Sequence, residues 1–197
     1  MLQPPASNGP SPQEPRDDFR IRSLTVGAFL PTLLFGIGQG AVLPVTPLFA
    51  QDLGASIAMI SIIVALRGFG TMLFDVPAGM LVSRFGERWT LVGGTGVLML
   101  VAVGAAWSHA PWQFAVVSFA MGGSWSVFML ARLSYVTDLA PTRVRGRALS
   151  LLGGTNRVGN AIGPLIGGYV AASFGLASAF YVQAVLSGMA ALLMFFV

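Results

Sequence analysis

The chain has 197 residues, of which 55% are hydrophobic and only 9% are charged. Soluble domains carry about 25% charged residues, so this composition excludes a water-soluble fold and requires lipid to cover part of the surface. The formal net charge is +4, and all 11 basic residues are arginines. They stand in short clusters between apolar runs, which is typical of membrane topology and not of a nucleic-acid-binding face.

Six apolar segments follow a polar N-terminal stretch. Residues 1–22 are rich in Pro, Ser, Gln and charge, which predicts a disordered cytoplasmic tail before a transmembrane domain of residues 23–197. A membrane-spanning helix needs about 20 apolar residues. Segments of that length cover residues 26–49, 57–82, 89–107, 112–137, 148–172 and 177–197. The sequence therefore predicts an all-α integral membrane protein with six transmembrane helices, and the short connections make neighbouring helices antiparallel.

The arginines predict an orientation for these segments. They lie before the first segment and in every second connection after it, whereas the other connections hold Asp52, His109 and no charge around Gly175. The clustered arginines are Arg16, Arg20, Arg22, Arg84, Arg88, Arg143, Arg145 and Arg147. Cytoplasmic connections carry the excess of positive charge. We therefore expect a multi-pass protein of the cell membrane with both termini in the cytoplasm.

The connection between the second and third segments reads Gly79-Met-Leu-Val-Ser-Arg84-Phe-Gly86-Glu-Arg88. It resembles the Gly-x-Leu-x-Asp-Arg-x-Gly-Arg-Arg loop of the major facilitator superfamily of secondary transporters, with Ser83 in place of the usual acid. A small residue at Gly79 would let a neighbouring helix pack closely, and Gly86 would permit a tight turn. Arg84 and Arg88 would hold helix ends and acidic partners in a cytoplasmic gate and loop network.

A second block joins the fourth and fifth segments and reads Asp138-Leu-Ala-Pro-Thr-Arg143-Val-Arg145-Gly-Arg-Ala. An acid and a proline followed by Arg-Gly-Arg-Ala at this place are similar to the same family. We expect Asp138 to pair with Arg84 or with an arginine of its own loop, so that Arg145 also belongs to the network. Positive charge that only sets the topology is the alternative explanation.

A third block lies in the fifth segment and reads Gly159-Asn-Ala-Ile-Gly163-Pro164-Leu-Ile-Gly167-Gly. It resembles the Gly-x-x-x-Gly-Pro-x-x-Gly-Gly pattern of antiporter members of the superfamily. The four-residue spacing puts Gly159, Gly163 and Gly167 on one face, which allows close helix contact, and Pro164 can bend the helix. We interpret this face as a helix-packing motif.

Taken together, the three blocks resemble the N-terminal half of a major facilitator superfamily transporter. The resemblance covers the chain after the tail, but only six of the twelve helices usual in the family. It implies a bundle of two inverted three-helix repeats. In such repeats the second and fifth segments correspond, and each contains an arginine followed by glycine: Arg67 with Gly70, and Arg157 with Gly159. Since the chain ends at the edge of the sixth segment, we expect a piece of a longer chain or a half that associates with another.

Ionisable residues inside a membrane are costly and are functional candidates by default. Arg67 and Arg157 lie near the middle of their segments, and Asp75 lies closer to the cytoplasmic side. In the functional interpretation, Arg67 or Arg157 binds a polar or anionic group of the substrate, and Asp75 carries a proton. The alternative is that each side chain satisfies neighbouring helix ends and holds the bundle together. Gln39 is a further substrate candidate, and a helix–helix hydrogen bond is its alternative.

Arg132 stands near the end of the fourth segment, so we expect it to reach the cytoplasmic interface. A role in the gate network and snorkelling of its side chain to lipid headgroups are the two interpretations. Asn156 and Asn160 in the fifth segment have the same two interpretations as Gln39.

An enzyme is not expected. The chain has no cysteine and a single histidine, His109, so neither a thiolate metal site nor a Ser–His pair is present, and no metal or cofactor is predicted. The predicted function is secondary active transport of a small solute by alternating access, coupled to protons as antiport or efflux. Its partners would be the lipid bilayer, the solute, protons and a second six-helix half, with no nucleic acid. The alternative is a membrane interaction or assembly module that does not transport by itself.

Overall fold

The computed structural model describes residues 28–140, 142–143 and 145–196. Within these residues seven α-helices form one bundle. They are α1 (Leu30–Val42), α2 (Val45–Asp52), α3 (Ile57–Phe85), α4 (Glu87–Ala106), α5 (Pro111–Leu139), α6 (Arg145–Phe174) and α7 (Ser178–Phe196). The all-helical prediction is therefore confirmed. The predicted tail, residues 1–22, lies outside the described residues.

The first predicted segment is two helices. Helices α1 and α2 meet at an angle of 43°, and the break falls at Leu43 and Pro44. The segment contains three prolines. Pro31 stands in the first turn of α1, where a missing N–H costs nothing. Pro47 likewise lies in the first turn of α2. Only Pro44 therefore marks the bend.

Most of the helices suit a bilayer. Helices α3, α4, α5 and α7 are long and apolar enough to cross a membrane, and the bent α1–α2 pair adds a fifth crossing. Helix α6 is 30 residues long, but its glycines and polar residues leave it outside that group. It nevertheless packs along α1 through Gly159, Gly163 and Gly167 and so lies in the same layer. The helices of spanning length make this a multi-pass membrane protein.

Two helix pairs with the same geometry reveal the internal repeat. Gly70 of α3 packs against the carbonyl of Phe119 in α5, and Gly159 of α6 packs against the carbonyl of Leu33 in α1. Three residues later in α5, Gly122 meets the carbonyl of Arg67. Three residues later in α1, Gly36 meets the carbonyl of Asn156.

The register of these contacts corrects one prediction. Arg67 precedes Gly70 by three residues, as Asn156 precedes Gly159, so the repeat relates Arg67 to Asn156. The predicted correspondence between Arg67 and Arg157 is wrong by one residue. A shift of one residue turns a side chain by about 100° around a helix, which is why Asn156 is buried and Arg157 is exposed.

Helices α4 and α7 close the bundle as an antiparallel pair. The indole N–H of Trp107, directly after α4, donates to the hydroxyl of Tyr181 at 2.7 Å. At the other end Arg88 donates to the carbonyl of Phe195 at 2.7 Å. Close to the α1–α2 bend, the rings of Phe49, Phe114 and Phe180 lie within 5.5 Å of one another, centre to centre. The two hydrogen bonds join α4 to α7 at both ends of the pair.

Candidate functional site

A polar contact joins α1 to α3 inside the apolar bundle. The Arg67 guanidinium donates a hydrogen bond through Nη2 to the Oε1 atom of Gln39. Both side chains are half-buried. One turn later, the Thr71 hydroxyl lies within hydrogen-bonding distance of two carbonyl oxygens, 3.1 Å from that of Arg67 and 3.2 Å from that of Gly122 in α5. The three helices are therefore linked through polar groups at one level of the membrane.

Asp75 lies two turns after Arg67 along α3 and has a different hydrogen-bond partner. The hydroxyl of Ser126 in α5 donates to Asp75 Oδ1 at 2.5 Å. The Asp75 side chain is otherwise exposed. Arg67 and Asp75 thus contact different helices, which agrees with their eight-residue separation, because eight residues along a helix span about 12 Å.

A cavity of about 350 Å³ opens between α3 and α5 on the same side as Asp75. Four of its lining residues have polar side chains, and the other four are apolar or aromatic. Its lining residues are Thr71, Asp75, Trp125, Ser126, Met129, Leu130, Arg132 and Leu133. Arg67 does not line the cavity. Thr71, whose hydroxyl hydrogen-bonds to the Arg67 carbonyl, does line it. The cavity therefore begins one turn from the Arg67–Gln39 contact.

Arg132 differs from its prediction. It was expected at the cytoplasmic interface, yet its side chain is only 6% exposed. Its guanidinium lies 5.5 Å from the centre of the Phe128 ring, and Nη2 donates to the sulfur of Met129 at 2.7 Å. The buried Nε and Nη1 atoms have no hydrogen-bond partner among residues 28–140, 142–143 and 145–196. In this conformation the guanidinium lies inside the bundle and does not extend toward the surface, as snorkelling would require.

Helix α6 separates its polar residues between two faces. Asn156 is buried against α1, and Asn160 donates to the Asn156 carbonyl and side-chain oxygens at 3.0 and 3.1 Å. Arg157 is exposed on the opposite side. The structure therefore does not bring Arg157 together with Arg67 in the bundle interior, and its proposed contact with substrate remains a prediction.

The glycine face of α6 lies against α1. A Cβ atom at Gly159 would come within 2.8 Å of the carbonyl of Leu33, and Gly163 and Gly167 are closer still to the backbone at Ile37 and Ala41. Only glycine lets the two backbones approach this closely. Pro164 is exposed, and α6 continues through it to Phe174.

The loop between α3 and α4 is built as a helix connection. Gly86 ends α3 with φ +79°, a conformation that favours glycine, and its N–H bonds to the Val82 carbonyl at 2.9 Å. Arg88 donates to the carbonyls of Met194 and Phe195 at 3.2 and 2.7 Å, so it binds the C-terminal turn of α7. A side chain on this loop thus holds a helix end.

The other residues of the predicted cytoplasmic network make fewer contacts than Arg88. Gly79 is exposed and a Cβ there would meet nothing within 4 Å, so the close packing expected at this glycine is absent from the described chain. Arg84 lies 5.7 Å from the ring of Phe85. Asp138 is exposed, and Arg145 starts α6 with a buried Nε atom that has no partner within the described part of the chain. The predicted pairing of Asp138 stays a prediction.

Sequence reasoning missed Ser126, Thr71 and Gln183. Hydroxyl residues are common in apolar helices, so Ser126 and Thr71 gave no signal until the register of α3 against α5 was known. Gln183 is fully buried beside Gly38, and neither atom of its amide has a partner. Gln183 is a polar amide within the sixth apolar segment, which is the same sequence signal that made Gln39 a candidate.

Comparisons with known proteins agree on one family. The sequence model of the Major Facilitator Superfamily matches residues 28–197. The Multidrug resistance protein MdtG of Dickeya zeae is 30% identical over 165 residues, and that of Enterobacter lignolyticus is 26% identical. Each alignment covers 82% of this chain and 40% of the relative. The chain therefore spans about two fifths of the length of these relatives.

Solved structures support the same fold. The proton:xylose symporter XylE bound to 6-bromo-6-deoxy-D-glucose superposes with a TM-score of 0.79 at 20% identity, over 91% of this chain and 45% of that chain. A D-xylose-proton symporter gives a TM-score of 0.76 at 21% identity, over 90% of this chain and 48% of that chain. At this identity the likeness establishes the fold alone.

Proposed function

Because the chain belongs to the major facilitator superfamily, we propose that it is one six-helix half of a secondary active transporter for a small solute. The two halves rock about a site near the middle of the membrane, which gives alternating access. The observation that carries this proposal is the hydrogen bond from Arg67 to Gln39, a polar contact between α1 and α3 inside an apolar bundle. Such intramembrane ionisable groups mark substrate or ion pathways.

The exposed surface of the bundle supports the proposal of a second half. Helix α3 has 29 residues, of which only Ile63, Gly70 and Ala78 are buried. Its exposed face includes Asp75, a charge that is unfavourable against lipid tails. The repeat gives α6 an equivalent face with Arg157 exposed. We assign these two faces to contact with the second six-helix half, in the same polypeptide or in another subunit.

Proton-coupled efflux is the direction and coupling that we propose. Relatives that share up to 30% of the aligned residues are named multidrug resistance proteins. Asp75 is the proton carrier, because it is a carboxylate at the edge of a cavity with a single hydroxyl partner. The protein lies in the cell membrane with both termini in the cytoplasm, as the arginine clusters predict.

The test is dye and drug accumulation in bacteria that lack their own multidrug exporters and express the full-length protein. We expect lower accumulation of at least one compound in a panel, and recovery of accumulation when a protonophore collapses the proton gradient. Arg67→Gln should abolish the difference, whereas Arg147→Gln, at an exposed position of α6, should leave it unchanged. Export that resists the protonophore would contradict proton coupling, and export that survives Arg67→Gln would contradict the assigned site.

A further inference from the structure

The cavity between α3 and α5 holds one acidic and one basic side chain that do not hydrogen-bond to each other. Asp75 accepts from Ser126 at 2.5 Å, and Arg132 donates only to the sulfur of Met129. Within the described residues, the buried Nε and Nη1 atoms of Arg132 have no hydrogen-bond partner. A buried guanidinium needs acceptors, since burying an unpaired charge is strongly unfavourable. An anionic group in the cavity could therefore supply the acceptors that the Arg132 guanidinium lacks.

Met129 marks where that group would bind. A thioether sulfur is a weak acceptor, and the unbranched methionine side chain changes rotamer easily. Its sulfur lies against Nη2 of Arg132, in the position of a hydrogen-bond acceptor. A carboxylate could replace the sulfur and accept two parallel hydrogen bonds from the planar guanidinium. Such a replacement needs only a side-chain movement of Met129.

The rest of the cavity sets the size and character of the ligand. Its volume of about 350 Å³ is at the lower end of ligand pockets, which range from about 300 to 1,000 Å³. Trp125, Leu130 and Leu133 supply an apolar wall. A small molecule with an apolar body fits this wall better than a sugar, whose hydroxyls would lack partners there.

The two charges select the ligand further. A simple anion at Arg132 would place negative charge near Asp75, and a simple cation at Asp75 would place positive charge near Arg132. Both repulsions are strong where the surroundings are apolar. A neutral ligand would leave Arg132 unpaired. A molecule that carries both charges would satisfy both side chains at once.

We propose that this cavity binds a small zwitterion with an apolar body, an amino-acid-like molecule whose carboxylate contacts Arg132 and whose ammonium contacts Asp75. The body lies against Trp125 and Leu133. The proposal names a substrate class for the transporter and rests on the proposed function only for movement across the membrane, since binding is measured separately. A proton and the ligand's ammonium compete for the same carboxylate, which is the arrangement that exchange of solute for protons requires.

Three probes of one skeleton test the charge requirement on the purified full-length protein by calorimetric titration: leucine, leucine methyl ester and N-acetylleucine. Leucine carries both charges, the ester only the cation, and the acetyl compound only the anion. We expect leucine to bind at least tenfold more tightly than either derivative. Equal affinities for the three, or no binding of leucine at millimolar concentration, would overturn the proposal. The latter result would favour a direct pairing of the two side chains in another state of the transporter.

Two variants then assign the ends of the ligand. Arg132→Gln should weaken leucine at least tenfold and strengthen the methyl ester, because the repulsion of its cation is removed. Asp75→Asn should weaken leucine and strengthen N-acetylleucine. A gain of affinity cannot result from misfolding, so each variant carries its own control. Asp52→Asn and Arg147→Gln, at exposed positions away from the cavity, should leave all three affinities unchanged.

The outcomes separate this proposal from the transport function. Leucine binding that neither Arg132→Gln nor Asp75→Asn alters would place the ligand elsewhere and overturn the site. Drug export without leucine binding would reject the zwitterion and leave the transport proposal standing. Leucine binding with the expected charge pattern, but without any flux, would support the site and reject transport.

Discussion

The Arg67 guanidinium of α3 donates a hydrogen bond to the Gln39 side chain of α1. The two residues are 28 positions apart in the chain and belong to neighbouring crossings, so this bond ties the first crossing to the second inside the bundle. Interhelical hydrogen bonds in membranes contribute about 0.6 kcal/mol on average and at most about 1.7 kcal/mol. Such a bond holds α1 in place and can still break during a conformational change.

The first prediction concerns this pair. Arg67→Gln and Gln39→Leu should each lower the stability of the purified full-length protein, and the double variant should cost less than the sum. The expected coupling energy is about 0.6–1.7 kcal/mol, measured from unfolding in a double-mutant cycle. Gln51→Leu, at an exposed position of α2, combined with Arg67→Gln should give no coupling. Additive effects of Arg67 and Gln39 would show that the bond does not form in the membrane.

The second prediction concerns Asp75. Asp75→Asn keeps a hydrogen-bond acceptor for Ser126 but cannot exchange a proton. In proteoliposomes, transport by this variant should no longer respond to a pH gradient. Counterflow of an exported dye that carries no ammonium group needs no net proton movement and should persist. Asp52→Asn should behave as the unaltered protein. Transport that still accelerates with the pH gradient in Asp75→Asn would remove this residue from the coupling mechanism.

The third prediction concerns the glycine face of α6. Gly163→Ala places a methyl group against the backbone at Ile37 and Ala41, so it should destabilise the bundle by about 1–3 kcal/mol, as overpacking does. Gly168→Ala is the matched control, because its Cβ would meet nothing within 4 Å. There the loss of a helical glycine should be neutral or stabilising by up to about 1 kcal/mol. Thermal unfolding measures both, and equal shifts would contradict the close α1–α6 contact.

The fourth prediction concerns Arg88. It donates to two carbonyls at the C-terminal turn of α7, a position where positive charge also favours the helix dipole. Arg88→Gln should lower stability by about 1 kcal/mol and increase amide hydrogen exchange in the last turn of α7. Arg147→Gln, which carries the same change at an exposed site, should alter neither. Unchanged exchange in α7 for Arg88→Gln would mean that the contact has no structural effect.

The sequence predicted the fold well because a bilayer limits the choices. Apolar segments of spanning length predicted the order of the helices, although the first segment is a bent pair, α1 and α2. The loop around Gly86 and Arg88 resembled the family that the comparisons then identified. Membership in a transporter family also agrees with the prediction that the chain is not an enzyme. Boundaries moved by a few residues where helices extend into their charged flanks, as α6 does at Arg145.

The site was predicted less completely, because charge alone does not reveal which way a side chain points. Arg67 and Arg157 looked equivalent in the sequence, but a difference of one residue in register buries Asn156 and exposes Arg157. Arg132 was assigned to the interface from its distance along the helix, while its rotamer turns it into the bundle. The partnership of Asp75 with Ser126 depends on how α3 packs against α5, which no local pattern contains.

The most direct test of alternating access uses the absence of cysteine from this chain. Gln39→Cys in a full-length protein without other cysteines can be labelled with a membrane-impermeant maleimide in right-side-out and inside-out vesicles. A transporter whose central site includes Gln39 should be labelled from the cytoplasmic face in one condition and from the opposite face in another, as solute and pH gradient shift the two states. Labelling from one face under every condition, or from neither face, would contradict the account.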